Sequence, residues 1–380
     1  MRRIKYIAYY DRQDSLVKRN YVLSATNKID YIISSLNDND IAVDIVSLSG
    51  CISEKPKLDR GLIKNSGINT LKLFTSFGPT NIGIVRFLSR QFQIIQFVFW
   101  FLLNVERGEK LLIYHSLGYC RVLTFLKRIK KCHYVGEIEE IYQDVSSIKK
   151  SLRSAEYSFI DVCDSYIFPT HFLNEKLNIY NKPYLIIHGI YQEEYHRNVS
   201  WDDNNIHVIY AGTFDANKGG ALSSIESVEF LPEGYHMHIC GFGTASEIDF
   251  IKSKIEHIKA TTNAEISYDG LLKGEDFICM LQKCHIGLST QNLNATFNDT
   301  SFPSKVLTYL SNRLNVVSAK IPVVEQSCVG EWVSYYSKQT PKSIADAIIN
   351  CKLYSPGQIS RVLGDLDEKF KVDIVVFLES

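Results

Sequence analysis

The chain has 380 residues, 45% hydrophobic and 22% charged, with 42 Lys and Arg balanced by 42 Asp and Glu. This is the composition of a globular protein, long for one domain and comfortable for two of about 150–200 residues each. Nine scattered cysteines without a C-x-x-C pair exclude a disulfide framework or a cysteine zinc site and fit reduced cytosolic thiols.

The balance of charge is uneven along the chain. Residues 1–190 carry 26 Lys and Arg against 18 Asp and Glu, leaving 16 against 24 for the rest. A basic first half suggests an anionic partner there. Nucleic acid is not indicated, because its usual modules and a dense basic stripe interleaved with aromatics are missing. The basic start Met1–Tyr10 has no apolar block with a cleavage site, so no secretory signal is expected.

In chain order, β-branched runs predict strands at 4–9, 42–48, 111–114, 133–136, 165–168 and 184–188. Helical patterns fall between them at 27–36, 87–103, 121–127 and 149–159. The polar segment 193–205 breaks the alternation and reads as a linker. Strands follow at 207–211, 235–240, 265–268, 285–289 and 315–318, separated by helices at 221–230, 246–258, 275–283 and 304–311. Residues 343–351 and the tail after Pro356 also read as helical. The predicted architecture is α/β, with two doubly wound Rossmann-like domains facing a cleft: 1–192, then 206–355. The tail 356–380 is a helical extension, a candidate to pack back on the first domain. Ligands of such sheets bind at the carboxyl ends of the strands.

Those ends carry the chemistry in the second half. Gly212-Thr213 opens a loop that runs to Lys218-Gly219, where small residues admit a phosphate and a lysine can neutralise it. Gly241-Phe242-Gly243 and Asp269-Gly270-Leu271 follow the next two strands. A polar loop then leads to Phe302-Pro303-Ser304-Lys305, a helix start with a proline preset for the first turn and a lysine beside it. The amides of Ser304, Lys305 and Val306 are expected to lack intrahelical partners and to favour an anion.

The order Gly212…Lys218-Gly219, Gly241-x-Gly243, Tyr268-x-Gly270 and Phe302-Pro303-Ser304-Lys305…Tyr309-Leu310 resembles the donor domain of GT-B glycosyltransferases of retaining family 4. The nearest likeness is to the bacterial branch that makes capsule, O-antigen or exopolysaccharide. Asn27-Lys28-Ile29-Asp30, Tyr114-His115-Ser116, Glu137-Ile138-Glu139-Glu140 and His188-Gly189-Ile190-Tyr191 resemble that branch's acceptor domain. The resemblance implies a cytoplasmic hexosyltransferase, peripheral at the inner face of the membrane. It implies a UDP- or GDP-linked sugar as donor substrate, no other cofactor and no metal. Gly212, Thr213, Lys218, Gly243, Ser304 and Lys305 would hold the donor diphosphate, and Gly270, Leu271 and Thr308 the base and ribose. The acceptor would be a glycan or undecaprenyl-diphosphate-linked saccharide.

Two departures accompany the resemblance. Thr213 stands where the family has an arginine, and Thr300 and Thr308 stand where it has two glutamates. A threonine can hydrogen-bond a hydroxyl but supplies no charge. A catalytically weakened GT-B domain acting as a binding or partner subunit is therefore the alternative. On the acceptor side, His115, Glu137 and Glu139 are the catalytic candidates. Strand alternation sends Glu137 and Glu139 to one side and Glu140 to the other. The apolar run Phe92–Leu103 is too short to span a bilayer, which takes about 20 residues. It is either a buried core helix or an element lying in an anionic membrane interface beside Arg86 and Arg90.

Overall fold

The computed structural model describes residues 2–11, 18–142, 150–215 and 219–380. The chain divides into two compact units, the first running to Ile187 and regaining Lys369–Ser380, the second spanning His188–Glu368.

The first unit contains β1 Arg2–Ala8, β2 Ile41–Ser47, β3 Lys57–Asp59, β4 Leu62–Ser66, β5 Asn69–Leu73, β6 Ser76–Gly78, β7 Lys110–Tyr114, β8 His133–Glu137, β9 Ser165–Phe168 and β10 Tyr184–Ile186. Eight of them form one sheet in the order β10-β9-β8-β7-β1-β2-β5-β4, while β3 and β6 pair separately. Within the large sheet the pairings are parallel except that of β4 with β5 at the edge. The six strands read from sequence are present; β3–β6 were not foreseen, because these short segments lack apolar alternation. Ile63, for example, is exposed on β4. Strand order reverses between β1 and β7, so the loops after those two strands border the crevice.

The helix Gly83–Asn104 is neither wholly buried nor wholly exposed. Ser89, Gln93, Phe97 and Phe101 face inward, where Phe97 meets Phe74, Phe101 and Tyr119 edge-on at 5.5–6.0 Å. Ile84, Phe87, Leu88, Phe92, Ile95, Phe99 and Leu103 remain exposed, Leu103 to 82%. The unbroken apolar run Phe97–Leu103, and the polar Ser89 and Gln93 on the inward stripe, hide from sequence which stripe the core takes. No helix among the described residues is long and apolar enough to cross a membrane.

The second unit contains β11 Ile206–Thr213, β12 Tyr235–Phe242, β13 Glu265–Gly270, β14 Ile286–Ser289, β15 Asn315–Ala319 and β16 Val333–Tyr336. All pair in parallel, in the order β13-β12-β11-β14-β15-β16. Here the switch point lies between β11 and β14. The short β16 and the turn of helix Pro322–Glu325 were not read from sequence.

Residues 193–205 have no regular structure but are fastened to this unit. Glu193 pairs with Arg313, and the Arg197 amide donates to Gln282 Oε1 at 2.9 Å. The helix Pro356–Glu379 gives its first half to the second unit. Its last residues belong to the first, where Phe370 stacks on Tyr31 at 5.2 Å and Lys110 Nζ donates to the Leu378 carbonyl at 2.7 Å.

Candidate functional site

In the second unit the carboxyl edge is built on close backbone approach. Gly212 and Gly241 are register partners at the ends of β11 and β12. A Cβ placed on Gly241 would fall 1.9 Å from the Gly212 carbonyl oxygen, so only glycine fits there. Phe214 N–H donates to the Phe242 carbonyl at 2.9 Å and continues the pairing past the strand ends.

Lys305 reaches this edge from across the switch point. Its ammonium lies 3.9 Å from the centre of the Tyr210 ring, a cation–π contact on a buried aromatic. The space it occupies is the space a Gly212 side chain would take, since a Cβ there would lie 2.8 Å from Lys305 Cε. Tyr210 in turn donates its hydroxyl to the Thr213 carbonyl at 3.0 Å. The helix Lys305–Ser311 is locked to the sheet by Tyr309: the Ala211 amide donates to its hydroxyl at 3.0 Å, which donates to the Leu288 carbonyl at 3.2 Å. Thr290 Oγ1, after β14, donates to the Gly220 carbonyl at 2.8 Å and ties the first loop to the same edge.

The structure corrects the expectation for the helix start. Val306 N–H donates to the Pro303 carbonyl at 3.1 Å and is not available to an anion. The helix has seven residues, too few for a large macrodipole.

Gly243 precedes the helix Ala245–Lys259, whose start is closed by a Thr244–Glu247 capping box. Beside it a cavity of ≈ 330 Å³ is lined by Phe214, Gly219, Leu222, Glu247 and Phe250. Gly270 ends β13 with φ +75°, and Leu271 next to it is half exposed. Thr308 gives its hydroxyl hydrogen to the Ser304 carbonyl at 3.1 Å, leaving its oxygen lone pairs to accept. Thr300 is buried to 4% exposure. Lys218 lies outside the described residues.

In the first unit the carboxyl edge gathers a buried charged cluster. Lys28, on the helix Leu23–Asn37, pairs with Glu139, lies 3.9 Å from Glu137 and donates to the Ile187 carbonyl at 3.4 Å. Both glutamates thus reach Lys28, although β8 ends at Glu137 and Glu139 lies in the loop beyond it, where strand alternation no longer applies. Glu137 has no exposed surface and accepts a hydrogen bond from Tyr6. Burial pushes its carboxyl up to about 8, outweighing the pull of Lys28. Glu137, expected from sequence as a catalytic group, thus lies enclosed between Tyr6 and Lys28, while its neighbour Glu139 keeps some exposed surface.

His115, the other catalytic candidate, is also enclosed at 2% exposure. Its ring stacks on Phe159 at 5.9 Å and its Nε2 lies 3.5 Å from Glu156. Burial holds its pKa at about 4, against the raising effect of a hydrogen bond to the Glu140 backbone. His115 thus lies beneath the edge, with its ring enclosed against Phe159 and Glu156. Sequence reasoning missed Lys28 as the partner of both glutamates, because the pair joins residues more than 100 positions apart.

Glu137 gives a pH prediction. An unfolded carboxyl titrates near 4.5 and the folded one near 8, so between those values the folded state holds the extra proton. Stability contributed by this group is full at low pH and falls as pH rises through the window. Glu137→Gln keeps the neutral shape and removes this group's contribution, so the difference between urea midpoints at about pH 5 and 8 is expected to shift in favour of pH 8 relative to the wild type.

No protein-family model and no curated protein matches the chain in sequence. Solved structures do match it in fold. A sucrose-phosphate synthase from Thermosynechococcus elongatus superposes with a TM-score of 0.65 at 12% identity, covering 98% of this chain and 94% of that one. A UDP-forming α,α-trehalose-phosphate synthase from Burkholderia xenovorans gives 0.65 at 10% identity over 100% and 99%. A trehalose-6-phosphate structure from E. coli, bound with UDP-2-fluoro glucose, gives 0.62 at 10% over 99% of each chain. With its two parallel-sheet Rossmann-like domains, the chain has the GT-B fold that these proteins share.

Proposed function

We propose that the chain is a retaining, metal-independent glycosyltransferase of the family 4 type. It moves a hexosyl group from a UDP- or GDP-linked sugar to a lipid-linked saccharide in bacterial surface polysaccharide synthesis. The observation that carries this reading is Lys305, whose ammonium lies over the Tyr210 ring in the space that Gly212 leaves open at the switch point of the second sheet. A cation fixed where a diphosphate leaves does the work of a divalent metal, stabilising charge as it develops. Ser304 and Lys305 amides, and Lys218 from the first loop, would join it. Leu271 would lie against the base, and Thr308 would accept from a ribose hydroxyl. The E. coli neighbour bound with UDP-2-fluoro glucose supports a nucleotide-sugar donor by analogy of fold.

Support for a lipid-linked acceptor comes from the exposed stripe of helix Gly83–Asn104. Its only charges are Arg86 and Arg90, and the neighbouring helix Cys120–Lys130 adds exposed Phe125 and Ile129 beside Arg121, Arg128 and Lys130. Apolar side chains among cations, with no acid on either helix, suit an anionic membrane interface. Flotation with phosphatidylglycerol vesicles is expected to carry the protein. Phe99→Asp combined with Ile95→Asp should leave it at the bottom of the gradient, as should vesicles of phosphatidylcholine alone.

The reading is tested by screening UDP-, GDP- and other nucleotide sugars for thermal stabilisation and hydrolysis, with neither Mg²⁺ nor Mn²⁺ changing the rate. Absence of both effects with every donor would refute it. Stabilisation without turnover would favour a binding subunit, the reading suggested by Thr213, Thr300 and Thr308.

A further inference from the structure

We propose that His207, His236 and His238 form a site for one transition-metal ion of the Zn²⁺ class, away from the donor edge. His236 and His238 stand two apart on β12, so both point to one face of the sheet. His207 on β11 is the register partner of His236 and shares that face. One ring nitrogen from each lies within 4.8 Å of the others. An i, i+2 pair on one strand and a third histidine on its neighbour mark three corners above a sheet, the placement a tripodal imidazole site needs.

The outer nitrogens are already backed as metal-bound histidines are. His207 Nε2 lies 2.9 Å from Asp203 Oδ1. His238 Nδ1 lies 3.1 Å from Ser267 Oγ and 3.3 Å from Asp269 Oδ2. His236 has Ser267 Oγ at 3.1 Å from Nε2 and Glu265 at 3.5 Å from Nδ1, so it ligates by giving up one of these contacts and keeping the other as its backing. This backing turns His207 Nδ1 and His238 Nε2 toward each other, 2.9 Å apart. A hydrogen bond there needs one proton between two lone pairs. Coordination replaces that proton, which is released to solvent, with the ion; the rings turn about χ2 to open the gap, and His236, now stacked on His238 at 4.1 Å, swings a nitrogen into it.

His207 and His238 are each 1% exposed, and Trp201 stacks across both at 4.9 and 5.0 Å. His236 is the half-buried member and provides the entry side. His285 is not part of the set, because its Nδ1 accepts the His207 amide at 3.0 Å. Three imidazoles with a water in the fourth position suit Zn²⁺, Co²⁺, Ni²⁺ or Cu²⁺ and discriminate against Mg²⁺ and Ca²⁺. His207 precedes Gly212 by five residues on β11, about 16 Å of strand, so the ion would brace the sheet and the 201–203 segment rather than meet the donor.

The test uses full-length, untagged protein stripped with chelator and desalted, then titrated with Co²⁺ and Zn²⁺. The expected result is one equivalent bound, a tetrahedral Co²⁺ visible spectrum bleached by Zn²⁺, and a raised Tm that Mg²⁺ does not reproduce. His236→Gln, at the half-buried position, should weaken binding at least tenfold while circular dichroism stays native. Asp269→Asn, behind His238, should weaken it by roughly 10–100-fold, and His257→Gln on the exposed surface should not. No stoichiometric Co²⁺ binding by the wild type, or binding unchanged in His236→Gln, would overturn the proposal. None of these readouts depends on a sugar donor, so the outcome is independent of the transferase reading.

Discussion

Replacing Lys305 by alanine is expected to lower kcat/KM for the donor identified in the nucleotide-sugar screen by about 10²–10³-fold, the usual cost of losing one preorganised group that stabilises developing charge. The cation–π contact removed with it is worth about 0.5–2 kcal/mol of stability. The geometry supplies a second, independent probe. Gly212 leaves the room that the Lys305 side chain fills, and an added Cβ would meet the flexible end of that lysine and the Tyr210 hydroxyl at 3.1 Å. Gly212→Ala should therefore displace the ammonium without unfolding the strand end, and should lower kcat/KM in the same direction. If both act through one cation, the two losses will not add: Gly212→Ala in a Lys305→Ala background should cost far less than in the wild type. Full additivity, or a Lys305→Ala variant with undiminished transfer, would remove Lys305 from the reaction.

How much of this was legible in the sequence depends on the range of the interaction. The parallel strands of both units were readable because β-branched runs such as Val208–Ala211 and Ile113–Tyr114 are local signals, and loops after them fell where the sheet topology requires. The order of glycines at 212, 241 and 270 also survived translation into structure, since each marks a strand end. What failed was non-local or concerned exposure. The pairing of Lys28 with Glu139, and the enclosure of Glu137 and His115, follow from packing that no spacing records. The stretch Phe97–Leu103 of the 83–104 helix is apolar without a break, so periodicity could not say that Phe97 is buried and Phe99 exposed. Val306 was assigned a free amide because the tight first turn, which hands that amide to Pro303, is a matter of backbone geometry. The imidazoles at 207, 236 and 238 were read as strand residues; only the register of β11 against β12 makes them neighbours.

Gly241→Ala is expected to be the most damaging single-methyl change in the second unit. The added Cβ would lie 1.9 Å from the Gly212 carbonyl oxygen, 3.0 Å from the Gly212 carbonyl carbon and 2.9 Å from the Phe214 ring. The first two are backbone atoms of a paired strand, which cannot swing aside as a lysine tip can. Relief requires β11 and β12 to part, breaking the Phe214–Phe242 hydrogen bond at their ends. Overpacking of this kind typically costs about 1–3 kcal/mol and occasionally more. Gly241 also sits at φ +156°, a backbone conformation unfavourable to alanine, which places this substitution at the upper end, about 3 kcal/mol. The loss should appear as a lower urea midpoint with an unchanged m-value. Donor affinity should fall beyond what the unfolded fraction explains, because the same strand separation moves Gly212 from under Lys305. A variant as stable as the wild type, or one destabilised yet binding donor normally when folded, would show that the close approach of the two glycines does not shape the site.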